Sequence, residues 1–169
     1  NPTHVNRRRG LFDEAMALAE RGATVDVTAF PVAEGEDAWS AADALARWLD
    51  AGLPPQRITV SSDAGGCLPV FDEEGRVRSM DVGAPGALVS TLAELVARGR
   101  PLEQVLPAFT SNVADLLRLT SKGRLHPGAD ADLVVLDERG AVHDVMARGR
   151  WHLRDRTTVV RGTFEGALA

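Results

Sequence analysis

Two segments of the sequence place metal-capable side chains where a β-strand is expected to end. His4 lies in the segment Pro-Thr-His-Val-Asn-Arg at residues 2–7, and Asp63 follows the run Ile-Thr-Val-Ser-Ser at residues 58–62. A neutral imidazole is a common zinc ligand, and a carboxylate can both bind a metal and move a proton. Parallel strands gather such side chains at their carboxyl ends. We therefore expect His4 and Asp63 to face a common site at the carboxyl ends of neighbouring strands. Because the first of these strand ends opens the sequence, the chain is interpreted as the C-terminal part of an enzyme.

Each of these two side chains also has a simpler interpretation. A single histidine is often a surface side chain or a hydrogen-bonded structural one. An aspartate after a strand often turns the chain through a side-chain to backbone hydrogen bond. Against this, the small residues Ala-Gly-Gly at 64–66 allow close approach of a ligand to the backbone beside Asp63. The local pattern around His4 and Asp63 leaves both interpretations open.

Arg7 and Cys67 are candidates for contacts with a substrate. Arg7 lies three residues after His4, and a guanidinium group grips a carboxylate with two parallel hydrogen bonds. Cys67 lies in the same glycine-rich segment as Asp63. A nucleophilic cysteine needs a histidine and an oxyanion donor nearby, and the local sequence offers neither. Cys67 is therefore interpreted as a side chain near the substrate.

The remaining histidines are expected to have surface or structural roles, and a pair of aspartates is expected to be structural. His126, His143 and His152 have no ligand-like spacing among them. Asp130 and Asp132 lack the spacing and the terminal glutamate of a calcium-binding EF-hand loop. They are expected to form a turn that leads into a strand.

Composition indicates an ordinary globular chain. The 169 residues are 44% hydrophobic and 25% charged, with a net charge of −5. Because the longest basic run is the three arginines at 7–9, nucleic acid and anionic membranes are not expected as partners. Apolar runs fall short of the roughly 18 residues that span a bilayer, and no export leader is recognisable. A single cysteine fits a reducing compartment, so we expect a soluble, cytoplasmic protein.

The first half of the sequence alternates short strands with helices. Gly10 opens a helical pattern that ends before Gly22, and Asp37 is the expected N-cap of the next helix. Repeated strand–helix units favour parallel pairing. The end of a first strand is predicted at 3–5, further strands are predicted at 24–28 and 57–61, and the second predicted helix covers 38–51.

The second half changes from helices to strands. A loop is expected from Ala64 to Gly83, followed by a helix at 85–98 and short helices beginning near Pro101 and Thr110 or Ser111. From Gly123 onward, short strands are expected at 133–136, 142–146, 151–153 and 157–160. The sequence thus predicts two domains, residues 1–122 and 123–169. A closed barrel needs eight units and roughly 250 residues, so the missing strands are expected on residues that this sequence does not contain.

Four motifs together resemble the amidohydrolase superfamily, and most of all its isoaspartyl (β-aspartyl) dipeptidases. They are Pro-Thr-His-Val-Asn-Arg at 2–7, Ser-Ser-Asp-Ala-Gly-Gly at 61–66, Leu-Thr-Ser-Lys-Gly at 119–123 and the Pro-Gly-Ala-Asp-Ala-Asp-Leu-Val-Val-Leu segment at 127–136. The similarity extends to about Phe164. It implies an α/β fold that is the C-terminal portion of a (β/α)₈ TIM barrel, about strands 6 to 8 with their helices, beside part of a small β-sandwich.

The resemblance also implies a role for each candidate residue. Family members hold two zinc ions bridged by hydroxide and a carbamylated lysine. His4 would be the last histidine ligand, on the more exposed zinc, and Asp63 would bind the more buried zinc and act as the catalytic proton shuttle. Arg7 would hold the α-carboxylate of a dipeptide. Cys67 stands where the family usually has a serine, and a thiol is a weaker donor, so this substrate contact differs.

The function implied by the resemblance is metal-dependent hydrolysis of β-aspartyl dipeptides. The His-x-His pair, the lysine and the other histidine ligand would lie before residue 1, so the 169-residue chain is expected to be inactive alone. Its expected partners are a small dipeptide and either further copies of itself or a complementing N-terminal portion. The alternatives are another amidohydrolase, such as a D-aminoacylase or a dihydropyrimidinase-like enzyme, and a non-catalytic α/β module without a metal centre.

Overall fold

The computed structural model of the protein describes residues 1–71, 74 and 76–163. Residues 72, 73 and 75 of the predicted loop and the last six residues of the predicted second domain, which begin with Phe164, lie outside the described residues. The helices are α1 (Arg9–Glu20), α2 (Ala41–Asp50), α3 (Ala87–Ala97), α4 (Leu102–Val105) and α5 (Ser111–Leu116). The strands are β1 (Val25–Thr28), β2 (Ile58–Ser61), β3 (Cys67–Phe71), β4 (Val77–Val82), β5 (Leu133–Leu136), β6 (Val142–Ala147), β7 (Arg150–Arg154) and β8 (Thr157–Thr158).

Strands β1 and β2 form the parallel pair that the sequence predicted. Val25 lies opposite Ile58 and Thr28 opposite Ser61. The valines and the isoleucine of both strands belong to the same apolar cluster as the large side chains of α1 and α2. Because side chains alternate along a strand, Asp26 and Thr28 share the opposite face of β1. The pair therefore has one apolar face toward the helices and one polar face.

The predicted first strand at residues 3–5 is wrong. Residues 1–4 have no regular structure, and Val5–Arg7 forms a single 3₁₀ turn. The backbone N–H of Asp26 still donates to the Pro2 carbonyl at 2.9 Å, so the start of the chain lies alongside β1. His4 then adopts a left-handed conformation with φ 59°, which ends the extended path before a ladder can form.

The helix ends follow from their caps. As predicted, Gly22 follows α1 with φ 92° and donates its N–H to the Ala19 carbonyl at 2.8 Å. The expected N-cap of α2 at Asp37 is wrong. Ser40 caps this helix instead, and its hydroxyl oxygen accepts the backbone N–H of Asp43 at 3.0 Å. Helix α2 starts later than predicted because residues before Ser40 are held by other bonds, including that from the Trp39 N–H to the Asn6 carbonyl.

The predicted loop between Ala64 and Gly83 is wrong for most of its length. Strands β3 and β4 pair antiparallel there, with Cys67 opposite Val82. Every residue of β4 is exposed, so this hairpin projects from the parallel pair without burying β4. The charged residues in and beside β4 hide the alternation of a strand, which is why the sequence suggested a loop.

The last third of the chain is a four-stranded antiparallel sheet in the order β5-β6-β7-β8. It contacts the helical part closely, since a Cβ on Gly140 would lie 2.7 Å from the Cβ of Ala93 in α3. Leu136 at the end of β5 packs against the main apolar cluster. The strands occur near their predicted positions, although β8 is shorter. The division into domains 1–122 and 123–169 stays a prediction.

The main core lies between the parallel pair and helices α1 and α2. Its largest fully buried side chains include Phe12, Leu45 and Trp48. The Trp48 indole also donates to the Pro54 carbonyl at 3.1 Å, so its polar atom is satisfied. Across the described part of the chain, the helices are too short or too polar to cross a bilayer.

Candidate metal and substrate site

His4 and Asp63 lie side by side at the carboxyl end of the parallel pair. The His4 Nε2 and Asp63 Oδ2 atoms are 4.0 Å apart, and the two side chains are 36% and 29% exposed. Both residues have left-handed backbones, with φ of 59° and 48°. Non-glycine residues adopt this conformation at a cost and often at functional sites. The structure therefore brings together the two residues expected to share a site.

The orientation of His4 is set by strand β1. The His4 Nδ1 atom lies 2.7 Å from the hydroxyl oxygen of Thr28, a residue with no exposed surface. Because one ring nitrogen is held by this bond, the other nitrogen points toward Asp63. A metal-binding histidine is usually fixed in this way, with its second nitrogen hydrogen-bonded to the protein.

Two glycines hold Asp63 in place. The Gly66 N–H donates to the Asp63 carbonyl at 2.8 Å, and the Gly83 N–H donates to the Gly66 carbonyl at 2.9 Å. A Cβ on Gly66 would lie 2.6 Å from Asp63 Oδ1, and a Cβ on Gly83 would overlap the Asp63 carbonyl oxygen. The base of the β3–β4 hairpin thus closes around Asp63, and only glycine fits at either position.

Arg7 joins the same cluster. Its Nη2 atom lies 3.4 Å from Asp63 Oδ2, and its guanidinium lies 5.3 Å from the ring centre of Phe30. The Nε atom of Arg7 is buried and has no hydrogen-bond partner. A guanidinium that has unused N–H donors beside a half-exposed carboxylate can also bind a second anionic group. This is the chemistry expected of a residue that holds a substrate carboxylate.

Cys67 is placed differently from the other three candidates. It is the first residue of β3, and its thiol is free and exposed. The structure brings His4, Arg7 and Asp63 together and leaves Cys67 at the edge of the hairpin that closes around Asp63.

Sequence reasoning missed a buried carboxylate beneath this cluster. Asp26 is 6% exposed and accepts three hydroxyl hydrogen bonds, from Thr3 at 2.7 Å, Thr59 at 2.7 Å and Ser61 at 2.6 Å. Thr59 and Ser61 lie on the polar face of β2, directly opposite Asp26 and Thr28. The signal in the sequence was the alternation Val-Asp-Val-Thr, which normally indicates a strand with one solvent-exposed face.

Asn6 was also missed. It has no exposed surface, donates to the carbonyls of Thr28 at 2.9 Å and Trp39 at 2.8 Å, and accepts the Thr28 N–H at 2.8 Å. These bonds fix the segment that carries His4 and Arg7 onto β1. A single asparagine between charged residues gives little indication of such a role in sequence.

The aspartates at 130 and 132 form the turn that the sequence predicted. Both carboxylates bind Lys122, the only lysine in the sequence. The hydrogen bond from Lys122, followed in importance by that from the Arg148 N–H, holds the pKa of Asp132 below its usual range. Asp132 stands immediately before β5. Lys122 is thus engaged in a structural ion-pair network.

A second group of metal-capable side chains lies in the antiparallel sheet. Within the described residues, His143, Asp144 and Asp155 place ligand atoms within 4.8 Å of one another, a proximity that the sequence spacing did not indicate. The His143 Nδ1 atom lies 2.9 Å from Asp144 Oδ2, and the Asp155 N–H donates to Asp144 Oδ1 at 2.7 Å. The second of these bonds joins β6 to the β7–β8 turn, which gives the group a structural role without a metal.

The zinc implied by the resemblance matches the donor types at His4 and Asp63. The 4.0 Å between Nε2 and Oδ2 is shorter than two zinc–ligand bonds of about 2.1 Å placed end to end. The two atoms are therefore close enough to belong to one zinc centre. Two protein ligands are fewer than the three of a typical catalytic zinc site, and Arg7 competes for the same carboxylate oxygen. His4 and Asp63 fit part of a zinc centre.

Comparison with known proteins agrees with the motifs. The Amidohydrolase family profile matches residues 11–164. The β-aspartyl dipeptidase of Fervidobacterium islandicum AW-1, solved in complex with a β-Asp-Leu dipeptide, is 34% identical with a TM-score of 0.84, covering 97% of this chain and 42% of that chain. The resemblance to the β-aspartyl dipeptidases is thereby confirmed.

N-acetylglucosamine-6-phosphate deacetylases are also similar. The enzyme of Lysinibacillus sphaericus is 32% identical over 93 aligned residues, and the match covers 52% of this chain and 24% of that protein. The structure of the enzyme of Mycobacterium smegmatis is 27% identical with a TM-score of 0.54, covering 81% of this chain and 35% of that chain. The chain spans less than half the length of these relatives. Because the family profile matches most of its residues, the chain belongs to the amidohydrolase family.

Proposed function

We propose that the chain supplies His4 and Asp63 to the zinc centre of an amidohydrolase that hydrolyses β-aspartyl dipeptides. In this proposal residues 1–122 are the last units of a (β/α)₈ barrel, residues 123–169 are part of a small β-sandwich, and a complementing N-terminal portion supplies the remaining ligands. The sequence itself has four histidines and no His-x-His pair. The parallel pair with its polar face, β1 and β2, supports the barrel interpretation, since barrel strands carry their chemistry at the carboxyl ends.

The observation that carries the proposal is the clustering of an imidazole, a carboxylate and a guanidinium. Zinc, when bound, supplies Lewis-acid polarisation of the amide to be cleaved. Asp63 takes a proton from the attacking water and returns it to the departing amino group, a role that suits a half-exposed carboxylate. Arg7, whose guanidinium is partly exposed beside Asp63, grips the substrate α-carboxylate and fixes the position of the scissile bond. Cys67 lies near the substrate in this proposal.

Hydrolysis of β-Asp-Leu by the zinc-loaded protein assembled with its complementing portion tests the proposal. We expect Asp63→Asn to lower kcat by about 10²- to 10⁴-fold, the usual contribution of a positioned acid–base group. Asp13→Asn removes an exposed carboxylate from α1 and serves as the matched control, with unchanged kcat expected. Near-normal turnover by Asp63→Asn would remove Asp63 from the proton-transfer role.

The similarity to N-acetylglucosamine-6-phosphate deacetylases favours a second candidate, hydrolysis of the N-acetyl group of an amino-sugar phosphate. Both reactions cleave an amide, so the substrate's anionic group distinguishes them. Arg7 suits a carboxylate by its planar pair of donors, and it also suits a phosphate. Parallel assays with β-Asp-Leu and N-acetylglucosamine 6-phosphate decide between the candidates, and faster turnover of the sugar would replace the dipeptidase proposal.

A further inference from the structure

We infer that a chain of hydrogen bonds running from the buried Asp26 carboxylate sets the tautomer of the neutral His4 ring, with the proton on Nδ1 and the lone pair on Nε2, the nitrogen that faces Asp63. The chain runs from Asp26 through the Ser61 and Thr28 hydroxyls to His4 Nδ1. This inference refines the proposed role of His4 as a zinc ligand. Only its consequence, that Nε2 is free to bind zinc, rests on the proposed function, because the ring tautomer exists with or without zinc.

The Asp26 carboxylate determines which group donates in each hydrogen bond of the chain. A carboxylate can only accept hydrogen bonds, so the Ser61 hydroxyl must donate its proton to Asp26 Oδ2, 2.6 Å away. The same oxygen also accepts the Thr3 hydroxyl, and Oδ1 accepts the Thr59 hydroxyl. A hydroxyl has one proton. The Ser61 proton is therefore committed to Asp26, and Ser61 is left as an acceptor for its other neighbours.

The Ser61 hydroxyl in turn determines where the Thr28 hydroxyl donates its proton. The Thr28 and Ser61 hydroxyl oxygens are 3.4 Å apart. Because the Ser61 proton is committed to Asp26, a hydrogen bond between the two hydroxyls must be donated by Thr28. When Thr28 donates to Ser61, its lone pairs face His4 Nδ1 at 2.7 Å. That short contact is then a hydrogen bond only if Nδ1 carries a proton. The ring must donate from Nδ1, so a neutral His4 has its unprotonated nitrogen at Nε2.

The opposite arrangement makes fewer bonds. If Thr28 donated to His4 Nδ1, the Thr28 and Ser61 oxygens would face each other without a proton, and two hydrogen bonds would replace three. Thr28 has no exposed surface, so water does not compensate for the lost bond. The alternative would also place a proton on Nε2, directed toward Asp63 where a metal ligand needs a lone pair. The site is thus built for the tautomer that a Nε2-bound metal requires.

This inference assigns positioning roles to three residues with no direct contact to a substrate. Asp26, Ser61 and Thr28 lie on the shared polar face of β1 and β2, with Thr28 opposite Ser61 in the strand register. The register of the parallel pair therefore decides the tautomer of the histidine at its end. A one-residue shift of β2 would break the chain, because alternate residues face the apolar core.

Nitrogen NMR of the metal-free chain with ¹⁵N-labelled histidine tests the inference. Protonated and unprotonated ring nitrogens resonate far apart, and alkaline pH keeps the rings neutral. The His4→Gln variant identifies the His4 signals among those of the four histidines. We expect a protonated Nδ1 and an unprotonated Nε2 in the wild-type chain. The reverse assignment in the wild-type chain would overturn the inference.

Variants separate the chain of bonds from general stability. Thr28→Val removes the acceptor for Nδ1, and Ser61→Ala frees the Thr28 proton, so both should move His4 toward the Nε2-protonated tautomer. Thr59→Val removes a hydroxyl from the other oxygen of Asp26 and should leave the tautomer unchanged. Equal effects from Thr59→Val and Ser61→Ala, or no change in Thr28→Val, would refute the chain. The tautomer is read without zinc or substrate, so this result is independent of the hydrolysis assay above.

Discussion

Replacement of Asn6 by alanine is the most informative test of how the protein holds its candidate site. The carboxamide makes three hydrogen bonds of 2.8 to 2.9 Å, two with the backbone of Thr28 and one with the carbonyl of Trp39. Asn6 has no exposed surface, so water cannot take over these bonds without rearrangement. The side chain joins the segment carrying His4 and Arg7 to strand β1.

The expected cost follows from these bonds. Each net hydrogen bond contributes about 1 kcal/mol, and each buried backbone group left without a partner costs roughly 1 to 3 kcal/mol. Three lost bonds, with partial relaxation, give a loss of about 3 to 5 kcal/mol in the free energy of unfolding. Since the free energy of unfolding of a domain is about 5 to 15 kcal/mol, Asn6→Ala should remove a large part of the stability of the folded chain. Asn6→Asp should cost more, because a carboxylate would face the carbonyls of Thr28 and Trp39.

Urea unfolding with linear extrapolation measures this cost. Asn112→Ala is the matched control, because Asn112 is also buried and donates to the carbonyls of Pro55 and Ile58 at 2.7 and 2.8 Å. It should lose about 2 to 4 kcal/mol by the same accounting while leaving the NMR signals of His4 in place. Asn6→Ala should move those signals. A loss below about 1 kcal/mol in Asn6→Ala, or unmoved His4 signals, would refute the positioning role.

Three further predictions concern the hairpin base, the substrate and pH. Gly83→Ala should destabilise the chain clearly, since its Cβ would overlap a neighbouring carbonyl oxygen, whereas Gly86→Ala, with open space around it, should be nearly neutral in thermal unfolding. Arg7→Lys should raise KM for β-Asp-Leu about tenfold or more with a smaller change in kcat, because a single ammonium replaces a two-pronged donor. An unchanged KM would remove Arg7 from the carboxylate site. Asp132 has a pKa lowered chiefly by Lys122, so its stabilisation is present above the ordinary aspartate value of about 3.9 and is lost as pH falls toward the folded value. The difference in Tm between the wild-type chain and Asp132→Asn should therefore shrink between about pH 5 and pH 3, and a gap independent of pH would contradict this assignment.

The parallel pair could be predicted because its signals are local. The apolar residues of 24–28 and 57–61 alternate with polar ones, and the helix between them has its own period. Short strand–helix connections then favour parallel pairing, which brings the strand ends, and so His4 and Asp63, to one edge. The first strand was overpredicted because the left-handed backbone of His4 is not visible in a sequence.

The features that were missed depend on contacts between distant residues. The sequence does not show that Asp26 is buried, because only the pairing with β2 places Thr59 and Ser61 where they satisfy its carboxylate. The hairpin was hidden because every residue of β4 is exposed, so burial imposed no apolar alternation on that strand. Ser40 replaced Asp37 as the cap because the Trp39 N–H is tied to Asn6, an interaction across 33 residues.

The central claim is that His4 and Asp63 share a zinc centre, and anomalous diffraction at the zinc edge tests it most directly. Crystals of the protein with its complementing portion, grown with zinc, should give anomalous peaks within bonding distance of His4 Nε2 and of an Asp63 carboxylate oxygen. The group formed by His143, Asp144 and Asp155 provides an internal comparison. A peak at that group with none at His4 and Asp63, or no peak at either, would contradict the account.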